Sequence, residues 1–199
     1  MIHTIVSSKN FDTAVHEAVL FLKKGKILAM RTDTIYGFVA KASSTMADKI
    51  TEIRGKRDLN QKPYLLLMPS VNMVREYADL SSFSKEMLNF MHDLMPGRNT
   101  IIFPKKEKVE YPKGNTIAIR VPLKKDNLFF FEVLQNFDQP VIAPSLNEPG
   151  QDPMNHPEMI LKTFFNKVDA FFDQGEVQSP APSSLYDFTN WQGKPKKLR

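Results

Sequence analysis

The chain has 199 residues, of which 42% are hydrophobic and 25% are charged, so its composition is that of a globular protein and excludes fibrous and disordered chains. It contains no cysteine, which excludes disulfide scaffolds, thiolate metal sites and cysteine nucleophiles. The formal net charge is +5, but four positive charges lie within residues 194–199, so the rest of the chain is close to neutral and does not predict a broad basic face for duplex nucleic acid.

The first part of the chain is predicted to alternate strands and helices. Short apolar runs indicate the strands, and hydrophobic residues spaced three or four apart indicate the helices. The predicted elements are, in order, a strand at 2–6, an amphipathic helix at 11–24, a strand at 27–31, a loop at 32–40, a helix at 45–54 and an apolar strand at 64–68. This order is typical of an α/β protein.

The rest of the chain continues the pattern. The predicted elements are helices at 71–78 and 84–95, strands at 100–103 and 116–121, a helix at 127–136, a strand at 140–143, a helix that begins at Pro157, a strand at 168–172 and one or two short final β segments. No repeat or linker divides the chain, so we predict a single domain over 1–199. No signal sequence or apolar span of about 20 residues is visible, which predicts a cytoplasmic protein without membrane contact.

The common nucleotide-binding and hydrolase motifs are absent from the sequence. None of the eight glycines forms Gly-x-Gly, and neither a P-loop nor Gly-x-Ser-x-Gly occurs. If the protein binds a nucleotide, cationic side chains, hydroxyls and scattered backbone amides must hold the phosphates.

Three polar segments are candidates for such a site. Residues 32–37 (TDTIYG) follow a strand, and ligands bind at strand ends in α/β sheets. Residues 54–57 (RGKR) place three cations at a helix C-terminus, where the helix dipole alone also favours them. Residues 145–147 (SLN) follow another strand and place two polar side chains on one side if the backbone is extended; an Asx-turn is the alternative. We expect Ser145 and Asn147 to serve a ligand, with little role in folding.

Taken together, these segments resemble the YrdC-like family of threonylcarbamoyl-AMP synthases. The resemblance extends along nearly the whole chain through seven motifs in the family's order. The motifs are 32–37 (TDTIYG), 54–57 (RGKR), 62–68 (KPYLLLM), 96–100 (PGRNT), 120–122 (RVP), 145–147 (SLN) and 183–187 (SSLYD).

The chain departs from the family pattern at several positions. Aligned from the preceding helix, Arg54 replaces the lysine of the family's Lys-x-Arg and Lys56 replaces its arginine; aligned from 62–63, Lys56 is the lysine and Asp58 replaces the arginine. Both registers remain open. Residues 98–99 (RN) stand where the synthases usually have Pro-Leu, and some of the departures are similar to the YciO branch of the family.

The resemblance implies a single α/β domain with a large twisted mixed sheet, flanking helices and a concave basic cavity. It implies synthesis of threonylcarbamoyl-AMP and pyrophosphate from L-threonine, bicarbonate and ATP with Mg²⁺. A partner complex would then transfer the threonylcarbamoyl group to tRNA.

The resemblance also implies roles for individual residues. Lys56, with Arg54 or Arg57, would contact phosphates or the threonine carboxylate, and Thr34, Tyr36 and Ser183 would hold L-threonine. The residues expected to hold the nucleotide are Ser145, Asn147, Thr100, Arg120 and Arg199. For Arg120 a structural ion pair is the alternative. No protein side chain is predicted to bind a metal.

A second hypothesis stays open. A YciO-type paralogue could bind tRNA, double-stranded RNA or a nucleotide in the same cavity without making an adenylate. The basic residues 194–199 and the lysine clusters at 105–108 and 124–125 favour this alternative.

Overall fold

The computed structural model describes residues 1–55, 63–148, 151–178 and 182–199. The strands within these ranges are β1 (Ile2–Ile5), β2 (Leu28–Arg31), β3 (Tyr36–Lys41), β4 (Leu66–Leu67), β5 (Asn99–Pro104), β6 (Thr116–Arg120), β7 (Val141–Ile142), β8 (Ala170–Asp173), β9 (Ser184–Asp187) and β10 (Lys196–Lys197). The helices are α1 (Phe11–Lys23), α2 (Ser44–Ile53), α3 (Val71–Tyr77), α4 (Lys85–Leu94), α5 (Leu128–Phe137) and α6 (Pro157–Phe164).

Polar side chains fix where several helices begin. Ser43, Ser70, Ser84 and Asn127 are the N-caps of α2, α3, α4 and α5, and each side chain accepts a hydrogen bond from the backbone N–H three residues later. Such caps satisfy N–H groups that have no partner inside the helix. Within the described ranges, no helix is both long and apolar enough to cross a membrane.

The strands form one mixed sheet. Its order is β1-β8-β2-β3-β7-β4-β6-β5-β9-β10. The pairs β1–β8, β2–β8, β4–β6 and β5–β9 are parallel, and the remaining neighbours are antiparallel. The α/β class and the large mixed sheet with helices are therefore confirmed.

The sheet separates two hydrophobic cores, because successive strand residues face opposite sides. On one side, β2, β3 and β8 pack against α1 and α5 through residues such as Met30, Val39 and Phe172. On the other side, Phe38 and Phe171 belong to the core that α2, α3, α4 and α6 cover.

The expected loop at 32–40 is wrong over most of its length, because Tyr36–Lys41 is the interior strand β3, between β2 and β7. Five of its six residues are buried, since both faces of the strand pack against helices. Gly37 allows the segment after β7 to approach closely: a Cβ at this position would lie 3.0 Å from the Pro144 carbonyl oxygen. The other predicted helices and strands are confirmed with shifted ends, and the strand expected at 64–68 is shortened to β4.

Candidate functional site

The turn between β2 and β3 forms one wall of the candidate site. Its first residue, Thr32, uses both its backbone N–H and its hydroxyl to donate to the Ile35 carbonyl, each at 2.9 Å. The hydroxyls of Thr32 and Thr34 lie 3.3 Å apart, and both residues are buried with Asp33 between them. The sequence therefore folds here into a tight turn lined with hydroxyl and carboxylate groups.

A buried ion pair joins this turn to β6. A terminal guanidinium nitrogen of Arg120 donates to Asp33 Oδ1 at 2.9 Å, and the side chains are 5% and 1% exposed. Burial raises the pKa of Asp33 against the opposing effect of the Arg120 charge. Burial likewise lowers the pKa of Arg120. The structural alternative for Arg120 is thus realised, and its role in nucleotide binding stays a prediction.

Two further arginines surround this pair. The positive charges of Arg199 and Arg98 add to burial in lowering the pKa of Arg120, although the Asp33 carboxylate acts in the opposite direction. Arg98 lies 3.7 Å from Asp126 and donates to the backbone carbonyl of Asp33. Positive charge therefore accumulates at this point of the sheet, as an anionic ligand requires. The enclosed basic cavity itself stays a prediction.

The predicted residues Thr100, Ser183 and Arg199 lie together. The hydroxyls of Thr100 and Ser183 are 3.0 Å apart and buried. Arg199 Nε donates to the Ser183 carbonyl at 3.0 Å, and a terminal guanidinium nitrogen lies 3.4 Å from the Ser183 hydroxyl. Two hydroxyls and a cation are groups that can hold a carboxylate or a phosphate.

A second polar group forms where α2 ends. Arg54, the C-cap of α2, donates to Asn147 Oδ1 at 2.8 Å, and Ser145 donates to the same oxygen at 2.8 Å. The predicted common direction of Ser145 and Asn147 is therefore confirmed. The guanidinium also lies over the Tyr64 ring, 5.8 Å from its centroid.

Asn147 has a larger structural role than expected. It is buried, and its amide nitrogen donates to the carbonyls of Glu148 and Gln151 at 3.0 and 3.2 Å. Together with the bonds from Arg54 and Ser145, these contacts tie the loop to α2. From these contacts we now expect Asn147 to contribute to folding as well as to ligand binding, which differs from the expectation from the sequence.

The Tyr36 hydroxyl has two hydrogen-bond partners within the protein. Its hydroxyl accepts from the Gln174 backbone N–H and donates to the Gly175 carbonyl, each at 2.8 Å. Burial raises the pKa of this phenol to about 12. The hydroxyl therefore joins β3 to the segment after β8, and a direct bond to L-threonine stays a prediction.

Backbone contacts join the two polar groups. Gly37 and Ser145 form an antiparallel bridge, and the Leu146 N–H donates to the Tyr36 carbonyl at 3.1 Å. The segment 145–147 thus lies alongside the start of β3, directly after the turn that holds Asp33. The two predicted cations Lys56 and Arg57 lie outside the described residues.

Unpartnered polar atoms concentrate in this region. In the described ranges, seven buried side-chain nitrogen or oxygen atoms have no hydrogen-bond partner. Five belong to charged residues at or next to the turn and α2, namely Arg31, Asp33, Arg54, Arg120 and Asp126. A buried charged group without full hydrogen bonding is destabilising, so a polar ligand that pairs with these atoms would offset the penalty.

Sequence reasoning assigned no role to three residues that organise the site. Asp33 was visible only as the carboxylate within 32–37, and Arg98 only as a departure from the usual Pro-Leu. Asn127 precedes an apolar helix, so the sequence indicates that it is an N-cap. The sequence does not indicate that Asn127 contacts the turn. No group of three or more His, Cys, Asp or Glu side chains suited to a metal occurs among the described residues.

Comparison with known proteins identifies similar chains. A family model covering Sua5, YciO and YrdC, described as "Telomere recombination", matches residues 20–199. The threonylcarbamoyl-AMP synthase of Pyrococcus abyssi is 29% identical over 177 residues, which cover 86% of this chain and 49% of the relative. A putative threonylcarbamoyl-AMP synthase of Methanocaldococcus jannaschii is 30% identical over 171 residues, which cover 83% of this chain and 77% of the relative.

The fold is similar to that of a solved structure. The structure of P. abyssi Sua5 complexed with L-threonine superimposes with a TM-score of 0.81 at 24% identity, and the match covers 100% of this chain and 56% of that chain. The chain thus spans about half the length of its P. abyssi relatives.

Proposed function

The chain belongs to the Sua5/YciO/YrdC family, and from that premise we propose that it is a threonylcarbamoyl-AMP synthase. The proposed reaction joins L-threonine, bicarbonate and ATP into threonylcarbamoyl-AMP and releases pyrophosphate. One observation supports the proposal most strongly. Segments that resemble the synthases and lie far apart in the sequence meet around the 32–37 turn, where buried charged side chains have atoms without a hydrogen-bond partner.

The chemistry requires binding and positioning more than proton transfer. The amino nitrogen of L-threonine carries the carboxylate derived from bicarbonate, after loss of water. An oxygen of this carbamate attacks the α-phosphorus of ATP, and the bond from that phosphorus to the pyrophosphate oxygen breaks. Such a displacement is accelerated by in-line alignment and by cations beside the leaving group.

The proposed roles of the residues follow from their groups. Lys56, with Arg54 or Arg57, would contact the phosphates or the threonine carboxylate. Ser145 and Asn147, which hydrogen-bond each other, would hold the nucleotide. Ser183 and Thr34 would provide hydroxyls to L-threonine. Mg²⁺ would arrive with ATP as part of the substrate, because it prefers phosphate oxygens and water and needs few protein ligands.

Partners and location belong to the same proposal. The product would pass to a complex that transfers the threonylcarbamoyl group to tRNA, which implies a location in the cytoplasm. The second hypothesis, an RNA- or nucleotide-binding module without synthase activity, is not favoured, since the relatives above are named as synthases.

Pyrophosphate release tests the proposal. The folded protein should release pyrophosphate from MgATP only when L-threonine and bicarbonate are both present, so omission of each substrate in turn is the internal control. A variant with Lys194, Lys196 and Lys197 changed to Ala should keep this activity, because the charges of these exposed lysines are screened by water and salt and, of residues 194–199, only Arg199 is assigned to the site. Folded protein that releases none, but binds double-stranded RNA, would support the second hypothesis.

A further inference from the structure

Three consecutive backbone carbonyls of the site turn accept hydrogen bonds from side chains of distant segments. Asn127 Nδ2 donates to the carbonyls of Arg31 and Thr32, each at 3.0 Å. Arg98 donates to the carbonyl of Asp33 through Nε at 3.2 Å and a terminal nitrogen at 2.8 Å. Two side chains therefore fix the path of the backbone on which Asp33 and Thr34 lie.

Both the amide nitrogen and the amide oxygen of Asn127 are fully hydrogen-bonded. Its amide has two N–H donors, and these serve the two carbonyls of the turn. Its oxygen accepts from the Phe130 N–H at 3.2 Å, which caps α5, and from Gln174 Nε2 at 2.9 Å. The residue is 9% exposed. Asn127 thus connects the turn to the start of α5 and to the segment after β8.

Arg98 contacts the third carbonyl, that of Asp33. It directly precedes β5, and its Nε lies 3.7 Å from Asp126 Oδ1. Two nitrogens of one planar guanidinium on a single carbonyl define an orientation that a lysine ammonium cannot reproduce. The side chain is 41% exposed, so its position depends on these contacts more than on burial.

We propose that Asn127 and Arg98 form a carbonyl clamp, defined as these two side chains on the carbonyls of residues 31–33, that keeps the turn in its binding-ready shape. They are positioning residues: the clamp sets the location of Thr34, and through Asp33 that of Arg120. This inference rests on the proposed function for the identity of the substrate, but the shape of the turn can be measured without it.

Asn127→Asp separates the clamp from the helix cap. Aspartate has the same shape and caps helices as well as asparagine does, so α5 keeps its N-cap. A carboxylate oxygen would replace the amide nitrogen that donates to the carbonyl oxygens of Arg31 and Thr32. Two hydrogen bonds would thus be replaced by repulsion between oxygen atoms. Arg98→Lys is the second variant, because it keeps the charge and loses the paired donation.

Matched controls are available elsewhere in the chain. Ser84→Ala removes the cap of α4, whose bond to the Met87 N–H is also 3.2 Å long, without touching the turn. Arg75→Lys makes the same chemical change as Arg98→Lys at an exposed position on α3. Ser84→Ala measures the effect of a general loss of stability. Arg75→Lys measures the effect of replacing a guanidinium group by an ammonium group.

Two readouts test the clamp. The first readout is hydrogen exchange followed by mass spectrometry. In Asn127→Asp and Arg98→Lys the amides of 32–37 should exchange faster by on the order of tenfold, because the lost hydrogen bonds allow the segment to open locally. In the two control variants the exchange of these amides should not change. In the pyrophosphate assay, kcat/KM for L-threonine should fall by on the order of a hundredfold in the clamp variants, because displaced groups align the substrate poorly.

Each outcome decides the inference. Unchanged exchange at 32–37 overturns the clamp, and faster exchange with unchanged kcat/KM overturns its positioning role. If the unmodified protein releases no pyrophosphate, the proposed function fails; exchange then still decides whether these two side chains hold the turn.

Discussion

Asp33→Ala is expected to be strongly destabilising, because it leaves the Arg120 guanidinium buried without its counter-charge. The pair is 2.9 Å long, and its side chains are 5% and 1% exposed. Removing one partner of such a buried pair costs about 3–5 kcal/mol. For a chain of this length each kcal/mol corresponds to about 2–4 °C, so the melting temperature should fall by about 6–20 °C.

An exposed pair of nearly equal length provides the control. Lys124 and Glu132 are 3.0 Å apart, with side chains 63% and 29% exposed. Glu132→Ala also removes an acidic partner, but water solvates the remaining lysine, so the expected loss is about 0–1 kcal/mol. Urea unfolding of both variants at pH 7 compares the two losses, since the pairs have nearly the same length but differ greatly in burial.

A double variant tests the cause of the loss. Adding Arg120→Met to Asp33→Ala should restore part of the lost stability, because no unpaired charge then remains buried. If Asp33→Ala costs no more than Glu132→Ala, or if Arg120→Met makes the loss larger, the reasoning from burial is refuted.

Three other substitutions test single contacts. Asn147→Ala should lower the free energy of unfolding by about 1.5–3 kcal/mol and weaken ATP binding in calorimetry by about tenfold or more, since Arg54 loses its bond; an unchanged melting temperature would contradict this. Tyr36→Phe should cost about 1–3 kcal/mol at pH 7. Burial raises the Tyr36 pKa from 10.0 to about 12, so the unfolded chain loses this proton at a lower pH than the folded protein does. The stability of the unmodified protein should therefore fall between pH 10 and 12. Over this range the difference in free energy of unfolding between the unmodified protein and Tyr36→Phe should narrow in urea unfolding. Gly37→Ala should cost about 1–3 kcal/mol in the same assay, because its Cβ would meet the Pro144 carbonyl oxygen; equal stability would show that the loop shifts freely.

The sequence predicts most of the elements because hydrophobic periodicity reflects which side of an element is buried. Helices such as α1 and α4, with one apolar face, lie close to the expected positions. β3 escapes this reasoning because both of its faces are buried, so hydrophobic and polar residues do not alternate along it. A glycine in its second position also has the usual meaning of a turn, whereas here it allows close packing.

The members of the candidate site are more predictable than their partners. Motif resemblance selects Ser145, Asn147 and Arg120 from the sequence, but not the residues they contact. Arg120 pairs with a residue 87 positions away, and Arg54 with one 93 positions away. Such pairs depend on the order of strands in the sheet, which local patterns do not specify.

The product formed from labelled bicarbonate tests the proposed function most directly. The protein would be incubated with MgATP, L-threonine and ¹³C-bicarbonate, and the nucleotides would be identified by mass spectrometry. We expect an adenylate with the mass of threonylcarbamoyl-AMP that carries the ¹³C label and is absent without L-threonine. Folded protein that binds ATP but forms no labelled adenylate would contradict the proposed synthase function.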